Sequence, residues 1–341
     1  MGKRTILFKV LLVVLASAWL TGVAMLAPAA AAPAATGSPQ NFGPNLMQVC
    51  PNPEGIAADP TGNIYASSFA FAPVANICVE NRAGVLTNVI PVPAGPGGVA
   101  SLLGMLFVPG QGLYVLDFAN GTAPNGRVLL VNPATQEVKT IATGFAAPNA
   151  VAQDRDGVLF VSDSFTGEIR KVAPDGSSNT LWVQSDLLVP HGVPPFGANG
   201  VAFDRTQSNL YVANTADDRI LRVPVEADGS AGAVEIFADG ATIDAAQNTT
   251  HALDGADGIA FDVQGNLYIC ANQANEIQVL SSSGVLTKRY AGSGANILDF
   301  PASLVFRGRS LYITNLSLSD GGVNSKLSIL KTPLPGAPLR P

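Results

Sequence analysis

Short apolar stretches recur along the chain, each bounded by turn-forming residues. Six of them align as second strands, from "GNIYASS" at 62 through "QGLYVLD", "GVLFVSD", "SNLYVAN" and "GNLYICA" to "RSLYITN" at 309. Each follows another apolar stretch by nine or ten residues, across a turn such as "DPTGN" or "DRDG". A third stretch comes after it, as in "GEIRKVAP" and "NEIQVLSS". This pattern predicts antiparallel units of three or four strands, the content of a β-propeller blade.

Six such units predict an all-β protein, a six-bladed β-propeller of the NHL-repeat type, because the chain has no Trp-Asp blade signature. The last unit has only three strands. We expect "NLMQVC" at 45–50 to supply its outer strand and so to close the ring without a free sheet edge. The predicted organisation is a signal peptide at 1–32, an Ala/Pro/Gly-rich linker at 33–43 and the propeller at 44–335.

The first residues have the pattern of an export signal. A basic start, "MGKR", precedes the apolar "VLLVVLASAWLTGVAML" and the small-residue stretch "APAAAAPA". We expect cleavage near Ala32, so that the mature protein is secreted or periplasmic. The alternative is an uncleaved membrane anchor, since the apolar run is long for a signal.

The innermost strands of a propeller all run the same way, so the residues that begin them share one mouth of the central channel. Four of these positions carry side-chain oxygens and two are apolar. In blade order they are Glu54, Leu103, Asn149, Asn199, Asp257 and Pro301.

Two carboxylates and two amides in one place form a hard, all-oxygen site of the kind that binds Ca²⁺, with Mg²⁺, Mn²⁺ or Zn²⁺ as other candidates. The alternative is turn chemistry, because Asn or Asp before Gly tolerates the left-handed conformation. It accounts for Asn199 and Asp257, but poorly for Glu54 and for Asn149, which precedes Ala.

The second strands end at the same mouth, and their last polar residues are candidates either for substrate contact or for capping the loops. They are Ser68, Asp117, Asp163, Asn214, Asn315 and, one residue past the register, Asn272. Two further candidates are His191 and His251, in loops before predicted metal ligands; the alternative is that both are merely solvated. Asp154, Asp204 and Asp262, at the other end of the first strands, are assigned to hairpin turns.

The chain is acidic and sparsely charged, with 13% charged residues. Loss of the leader would remove Lys3, Arg4 and Lys9 and no acids, which changes the net charge from −6 to −9. Without basic clusters, neither nucleic acid nor an anionic membrane is an expected partner. We expect a monomer that acts on a small molecule. Cys50 and Cys78 could pair in an oxidising compartment, and Cys270 is expected to be a buried thiol.

The order "EGI", "PN", "NG", "DG" at the starts of four blades resembles the regucalcin/gluconolactonase (senescence-marker-protein) family, and the pattern is also similar to paraoxonase-type lactonases. The resemblance covers the whole mature chain. It implies a catalytic divalent metal held by Glu54, Asn149, Asn199 and Asp257. It further implies lactone hydrolysis, in which the metal polarises the carbonyl and Asp257 helps to activate water.

The chain departs from the sugar-lactone members of that family at two places. They carry an Arg two residues before the first Asn ligand and "DG" after it, where this chain has Ala147 and "AV". The expected substrate is therefore a less polar lactone or similar ester. Two classes of function stay open: an exported metal-dependent hydrolase, and a non-catalytic NHL-like propeller that binds a ligand or a protein.

Overall fold

A computed structural model describes residues 37–296, 298–319 and 321–338. The predicted signal peptide and the linker up to residue 36 lie outside the described residues. The described chain forms six four-stranded antiparallel sheets, which confirms the all-β, six-bladed propeller. Within it, no helix is both long and apolar enough to cross a bilayer.

The first three blades follow the predicted order from the channel outwards. Blade 1 contains β2 (Pro53–Ala58), β3 (Ile64–Ser68), β4 (Val74–Glu80) and β5 (Leu86–Pro93). Blade 2 contains β6 (Leu102–Val108), β7 (Gly112–Asp117), β8 (Gly126–Val131) and β9 (Val138–Phe145). Blade 3 contains β10 (Pro148–Gln153), β11 (Leu159–Asp163), β12 (Glu168–Val172) and β13 (Asn179–Gln184).

The remaining blades follow a short 3₁₀ turn, Asp186–Leu188, and include one helix, α1 (Gly240–Gln247). Blade 4 contains β14 (Ala198–Phe203), β15 (Asn209–Asn214), β16 (Arg219–Pro224) and β17 (Glu235–Asp239). Blade 5 contains β18 (Ala256–Phe261), β19 (Leu267–Ala271), β20 (Glu276–Leu280) and β21 (Leu286–Ala291). Blade 6 contains β22 (Pro301–Arg307), β23 (Ser310–Asn315), β24 (Lys326–Lys331) and, from the start of the described chain, β1 (Gln40–Phe42).

The hydrophobic core lies between neighbouring blades. The second strands are buried on both faces, which is why they read as apolar runs rather than as alternating patterns. An aromatic ring on a second strand repeatedly packs edge-on against a Phe on the first strand of the next blade. Phe160 meets Phe203, and Tyr211 meets Phe261, with ring centroids 5.0 Å apart in both pairs. The recurrent "LY" and "AF" of the sequence are therefore the two halves of one inter-blade contact.

The ring is closed by β1, whose residues Gln40 and Phe42 pair with Ile329 and Leu327 of β24. The expectation that residues 45–50 supply this strand is wrong, and the closing strand instead lies within the predicted linker. Residues 45–50 are apolar for another reason: they form a turn whose buried residues pack under blade 1. Cys50 in this turn is bonded to Cys78 of β4, with Cα atoms 6.2 Å apart.

Other expectations about single residues are confirmed. Cys270 is a free, buried cysteine. The aspartates at the far ends of the first strands cap hairpin turns: Asp204 accepts from Ser208 N at 3.0 Å and Asp262 accepts from Asn266 N at 3.0 Å. Asp154 accepts from Val158 N at 2.9 Å in the same way.

A buried carboxylate lies next to the closing segment. Glu80, the last residue of β4, is 1% exposed, and neither of its carboxylate oxygens has a hydrogen-bond partner. Gly43, which follows β1, lies directly against this carboxylate, where a larger residue would collide with it. Burial raises the pKa of Glu80 from 4.5 to about 8.

We expect Glu80→Gln to stabilise the ring increasingly as the pH rises. The folded state binds the proton more tightly than the unfolded state, so Glu80 favours folding most below about pH 4.5. As the pH rises, this contribution to the free energy of unfolding decreases by up to about 1.4 kcal/mol per pH unit, until the pH passes the pKa of Glu80 in the folded state. The melting temperature of Glu80→Gln minus that of the parent protein should therefore be larger at pH 8 than at pH 5. The exposed Glu137→Gln is the matched control, and parallel curves for all three proteins would contradict the prediction.

Candidate functional site

Every innermost strand begins with a β-bulge. In blade 1, Pro53 pairs with Ser68 and Ile56 pairs with Ala66, so that Glu54 and Gly55 lie opposite a single residue. The same shift occurs in all six blades. We call the first bulge residues the bulge tier: Glu54, Leu103, Asn149, Asn199, Asp257 and Ala302. The prediction of Pro301 is wrong by one residue, because Pro301 pairs with Asn315 and so precedes its bulge.

Glycine follows the tier residue in four blades because adjacent blades approach closely there. A methyl group on Gly200 would collide with the carbonyl oxygen of Asp257, and one on Gly258 with that of Ala302. Asn199 and Asp257 do not have the positive φ of a left-handed turn. The recurrent "NG" and "DG" thus reflect packing between blades at the bulge, and the turn interpretation is wrong for these two residues.

Serine hydroxyl groups hydrogen-bond to the tier backbone and link neighbouring blades. Ser162 on β11 accepts a hydrogen bond from Ala150 N at 3.0 Å and donates to the carbonyl oxygen of Asn199 in the next blade at 2.7 Å. Ser67 links Gly55 N to the carbonyl of Leu103 in the same way. These links position the tier backbones relative to one another, and they occupy the hydroxyl groups of both serines.

Four side-chain oxygens at the tier are buried without a hydrogen-bond partner. They are Glu54 Oε2, Asn199 Oδ1, Asp257 Oδ1 and Asn272 Oδ1, and their residues are 3–5% exposed. The other polar atoms of three of these residues hold the side chains in place: Asn199 Nδ2 donates to Thr215 Oγ1 at 2.9 Å, and Asn272 Nδ2 donates to Asp257 Oδ2 at 3.1 Å. A buried oxygen without a protein partner is costly, so several at one place favour a site that binds a cation or another electrophile.

The electrostatics of the tier lead to the same conclusion. Burial raises the pKa of Glu54 well above its ordinary value, and the neighbouring Asp257 raises it further. Burial also raises the pKa of Asp257, although the amides of Asn272 and Asn199 partly offset this. Burial and these two carboxylates also raise the pKa of the Cys270 thiol, which favours its neutral, less nucleophilic form. A bound cation would relieve the repulsion between Glu54 and Asp257.

The donor set fits a hard cation. Asn149, 4% exposed, occupies the tier position between Leu103 and Asn199. The tier therefore provides two carboxylates and two amide oxygens, and Asn272 adds another amide oxygen beside them. No group of three or more His, Cys, Asp or Glu side chains forms a metal site in the described residues. Oxygen-only ligation with few charges favours Ca²⁺ over softer metals.

The second-strand ends lie behind the mouth, where most of them bond to loops. Asp117 accepts from Ser101 N at 2.9 Å and pairs with Arg127, and Asp163 accepts from Ala146 N at 2.7 Å. Ser68 and Asn214 donate to the backbone carbonyls of Pro51 and Leu187, and Asn315 Oδ1 accepts from Asp299 N at 3.1 Å. These contacts favour loop capping at those five positions. Asn272 differs, because its side chain contacts Asp257 of the tier.

Both histidines are oriented by a carboxylate. His191 Nδ1 is 2.9 Å from Asp217 Oδ2, and His251 Nδ1 is 2.8 Å from Asp254 Oδ2. Their side chains are 49% and 64% exposed. The hydrogen bond to Asp217 is the main cause that raises the pKa of His191. Both pairs belong to loops of blades 4 and 5 at the mouth.

The opposite side of the mouth is aromatic, a feature that the sequence reasoning missed. We call the rings of Phe69, Phe71, Phe118, Phe165 and Phe196 the phenylalanine cluster; it packs against Leu103 of the tier and against Ala147. A sequence signal exists: Phe follows the second strand within one or two residues in "SSF", "LDF" and "SDSF" of blades 1–3. Blades 4 and 5 have Thr215 and Asn272 there instead.

Beyond the tier, the channel contains a largely apolar cavity of about 430 Å³, lined by the first strands. The C-terminal segment crosses its far end, where Ala337 N donates to Phe261 O at 2.8 Å and Val263 N to Pro335 O at 3.0 Å. The mouth with the tier and the histidine loops is the end opposite this segment.

Comparison with known proteins gives a family-model match in the second half of the propeller. Residues 196–317 match the model of the SMP-30/gluconolactonase/LRE-like region. This segment contains the tier residues Asn199 and Asp257 and the residues that contact their side chains, Thr215 and Asn272, which each follow a second strand. A search of curated protein sequences gave no match.

Solved structures share the fold at low identity. A gluconolactonase from Xanthomonas campestris is 18% identical with a TM-score of 0.61, over 92% of this chain and 99% of its own. Regucalcin, a calcium-binding protein from Agrobacterium tumefaciens, is 16% identical with a TM-score of 0.61, over 88% and 94%. An inactive variant of virginiamycin B lyase from Staphylococcus aureus, solved with quinupristin, is 13% identical with a TM-score of 0.54, over 87% and 99%.

These proteins differ in activity, so the shared fold alone does not identify the reaction. The family-model match is more specific, because the matched segment contains Asn199 and Asp257 of the tier. The chain is a six-bladed propeller that carries an SMP-30/gluconolactonase/LRE-like region.

Proposed function

We propose that the protein is an exported metal-dependent hydrolase that opens lactones or similar esters at the channel mouth. The observation that carries the proposal is the group of four buried, unpartnered oxygens on Glu54, Asn199, Asp257 and Asn272. The gluconolactonase-like family region supports the reaction class. The leader-like start and the Cys50–Cys78 disulfide support export. The partner is a small molecule, and the protein acts as a monomer.

Glu54, Asn149, Asn199 and Asp257 would hold the metal, with Ca²⁺ preferred for its affinity for oxygen ligands. When bound, the cation supplies a Lewis acid that polarises the carbonyl of the substrate. The tier itself keeps its side chains in position before any ligand arrives. Thr215 fixes the amide of Asn199, and Asn272 fixes one oxygen of Asp257.

Asp257 is the general base of the proposal. Its Oδ1 has no protein hydrogen bond and can take a proton from an attacking water. The water oxygen forms a bond to the carbonyl carbon, the bond from that carbon to the ring oxygen breaks, and the ring oxygen gains a proton. The product is a hydroxy acid. The serine and threonine hydroxyls nearest the tier already bond to backbone groups, which favours water over a side chain as the nucleophile.

We expect divalent metal to raise the melting temperature of protein treated with EDTA, because it binds the folded state only. Glu54→Gln should weaken this shift by removing a ligand charge, whereas the exposed Glu137→Gln should leave it unchanged. The measurement is thermal unfolding over a titration of Ca²⁺, Mg²⁺, Mn²⁺ and Zn²⁺. If no ion moves the transition of the stripped protein, the tier is not a metal site.

We expect Asp257→Asn to lower kcat for lactone hydrolysis by about 10²- to 10⁴-fold, the usual contribution of a general base, with a smaller change in KM. The assay should use saturating metal, so that loss of the base is separated from weaker metal binding. Asp156→Asn, an exposed residue in a hairpin of blade 3, is the control. Turnover that resists chelators would contradict the metal dependence. No turnover of aliphatic, aromatic and sugar lactones by metal-loaded protein would leave a non-catalytic binding propeller.

A further inference from the structure

We infer that the phenylalanine cluster is the subsite for the apolar alkyl or aryl part of the substrate, so that the enzyme acts on hydrophobic lactones and esters rather than on sugar lactones. This inference rests on the proposed function for the reaction, but the cluster itself is an independent observation.

The cluster is placed directly beside the bulge tier. It packs on Leu103, the tier residue between Glu54 and Asn149, and on Ala147, two residues before Asn149. A ligand whose carbonyl lies at the tier would therefore have its adjacent substituent next to these rings. The tier residue of blade 2 is the apolar Leu103, which provides no oxygen. An apolar side chain at this position fits a subsite for the apolar substituent of the substrate.

The rings form one continuous surface rather than separate core contacts. Phe118 is buried at the centre, with the rings of Phe69 and Phe165 at 5.7 Å and 5.6 Å. Phe196 lies 5.4 Å from Phe165. Phe69, Phe71, Phe165 and Phe196 are only half-buried, so their outer faces are accessible at the mouth. Edge-to-face aromatic packing of this kind is a preferred geometry and makes the surface rigid.

The mouth is divided by polarity. Blades 1–3 and the loop that leads into blade 4 provide the phenylalanines, whereas blades 4 and 5 provide Asn272 and the pairs His191–Asp217 and His251–Asp254. The β13–β14 loop contributes to both sides, with Phe196 on one and His191 on the other. A polyhydroxylated lactone would leave its hydroxyls without partners on the aromatic side, at a cost for each buried polar group. A lactone with an apolar substituent matches both sides: the substituent covers the rings, and the ester group faces the oxygens.

The first test measures binding without turnover. The probe is 3,4-dihydroquinolin-2-one, a lactam whose amide resists hydrolysis and whose aryl ring would cover the cluster. We expect Phe165→Ala and Phe196→Ala to weaken its binding in calorimetry by about tenfold, and Phe165→Leu to retain most of the affinity. The control is Phe237→Ala, which removes a half-buried ring on β17 that packs against Tyr211 away from the mouth. Unchanged affinity in Phe165→Ala and Phe196→Ala would overturn the inference.

The second test uses turnover of γ-lactones with alkyl side chains of one to six carbons. We expect kcat/KM to rise about two- to fourfold per methylene, the upper value corresponding to about 0.8 kcal/mol for a fully buried group. Phe165→Ala should flatten this dependence while gluconolactone changes less than twofold. Hydrolysis with no dependence on chain length would refute the subsite but leave the hydrolase. Lactam binding that depends on Phe165, with no lactone hydrolysed, would refute the hydrolase but support the subsite.

Sedimentation velocity decides between a ligand and a second protein molecule on the same surface. We expect the parent protein and Phe165→Ala to sediment alike as monomers at all concentrations. A dimer that Phe165→Ala dissociates would identify the cluster as a subunit interface and would overturn the inference.

Discussion

The approach of each blade to the next at the bulge tier is the constraint on which the site depends. At Gly200 and Gly258 the backbone lies so close to the neighbouring carbonyl that no side chain fits. Hydroxyls such as Ser162 then connect one bulge to the next. Each tier side chain is thus oriented by two blades at once. The convergence of six independent strands becomes a fixed arrangement of oxygens, since a shift of one blade would strain its hydrogen bonds to another.

The same arrangement works against stability. Glu54 and Asp257 are buried close together with raised pKa values, and one side-chain oxygen of each of Glu54, Asn199 and Asp257 has no hydrogen-bond partner. Burial of this kind costs free energy unless a ligand compensates for it. Away from the tier, the buried Asp117 is paired with Arg127, whereas both oxygens of Glu80 lack a partner. At the tier, unlike at Glu80, unpartnered oxygens of several residues lie together, which supports a binding role for the tier.

Much of this could be predicted from the sequence, because the blades repeat and each repeat keeps the same contacts. The "LY" and "AF" pairs indicated the inter-blade core, and the polar residue before "GIAF" indicated the tier. The bulge could not be predicted, because one extra residue does not change an apolar pattern. The predicted tier residue of blade 6 is therefore Pro301, where the structure has Ala302. The closing strand was misplaced because Gln40–Phe42 is short and mostly exposed, while residues 45–50 are apolar for packing. The phenylalanine cluster was missed because loops of unequal length bring its members together.

The closing strand has a further consequence for the order of assembly. Gln40–Phe42 finds its partner in β24, almost 290 residues later in the chain, so the ring cannot be completed until β24 has been synthesised. Gly43, the residue after this strand, lies against the Glu80 carboxylate. Pairing of β1 with β24 therefore helps to keep Glu80 away from water in the closed ring. The acidity of the compartment in which folding finishes would set how readily the ring locks, independently of how well its individual blades form.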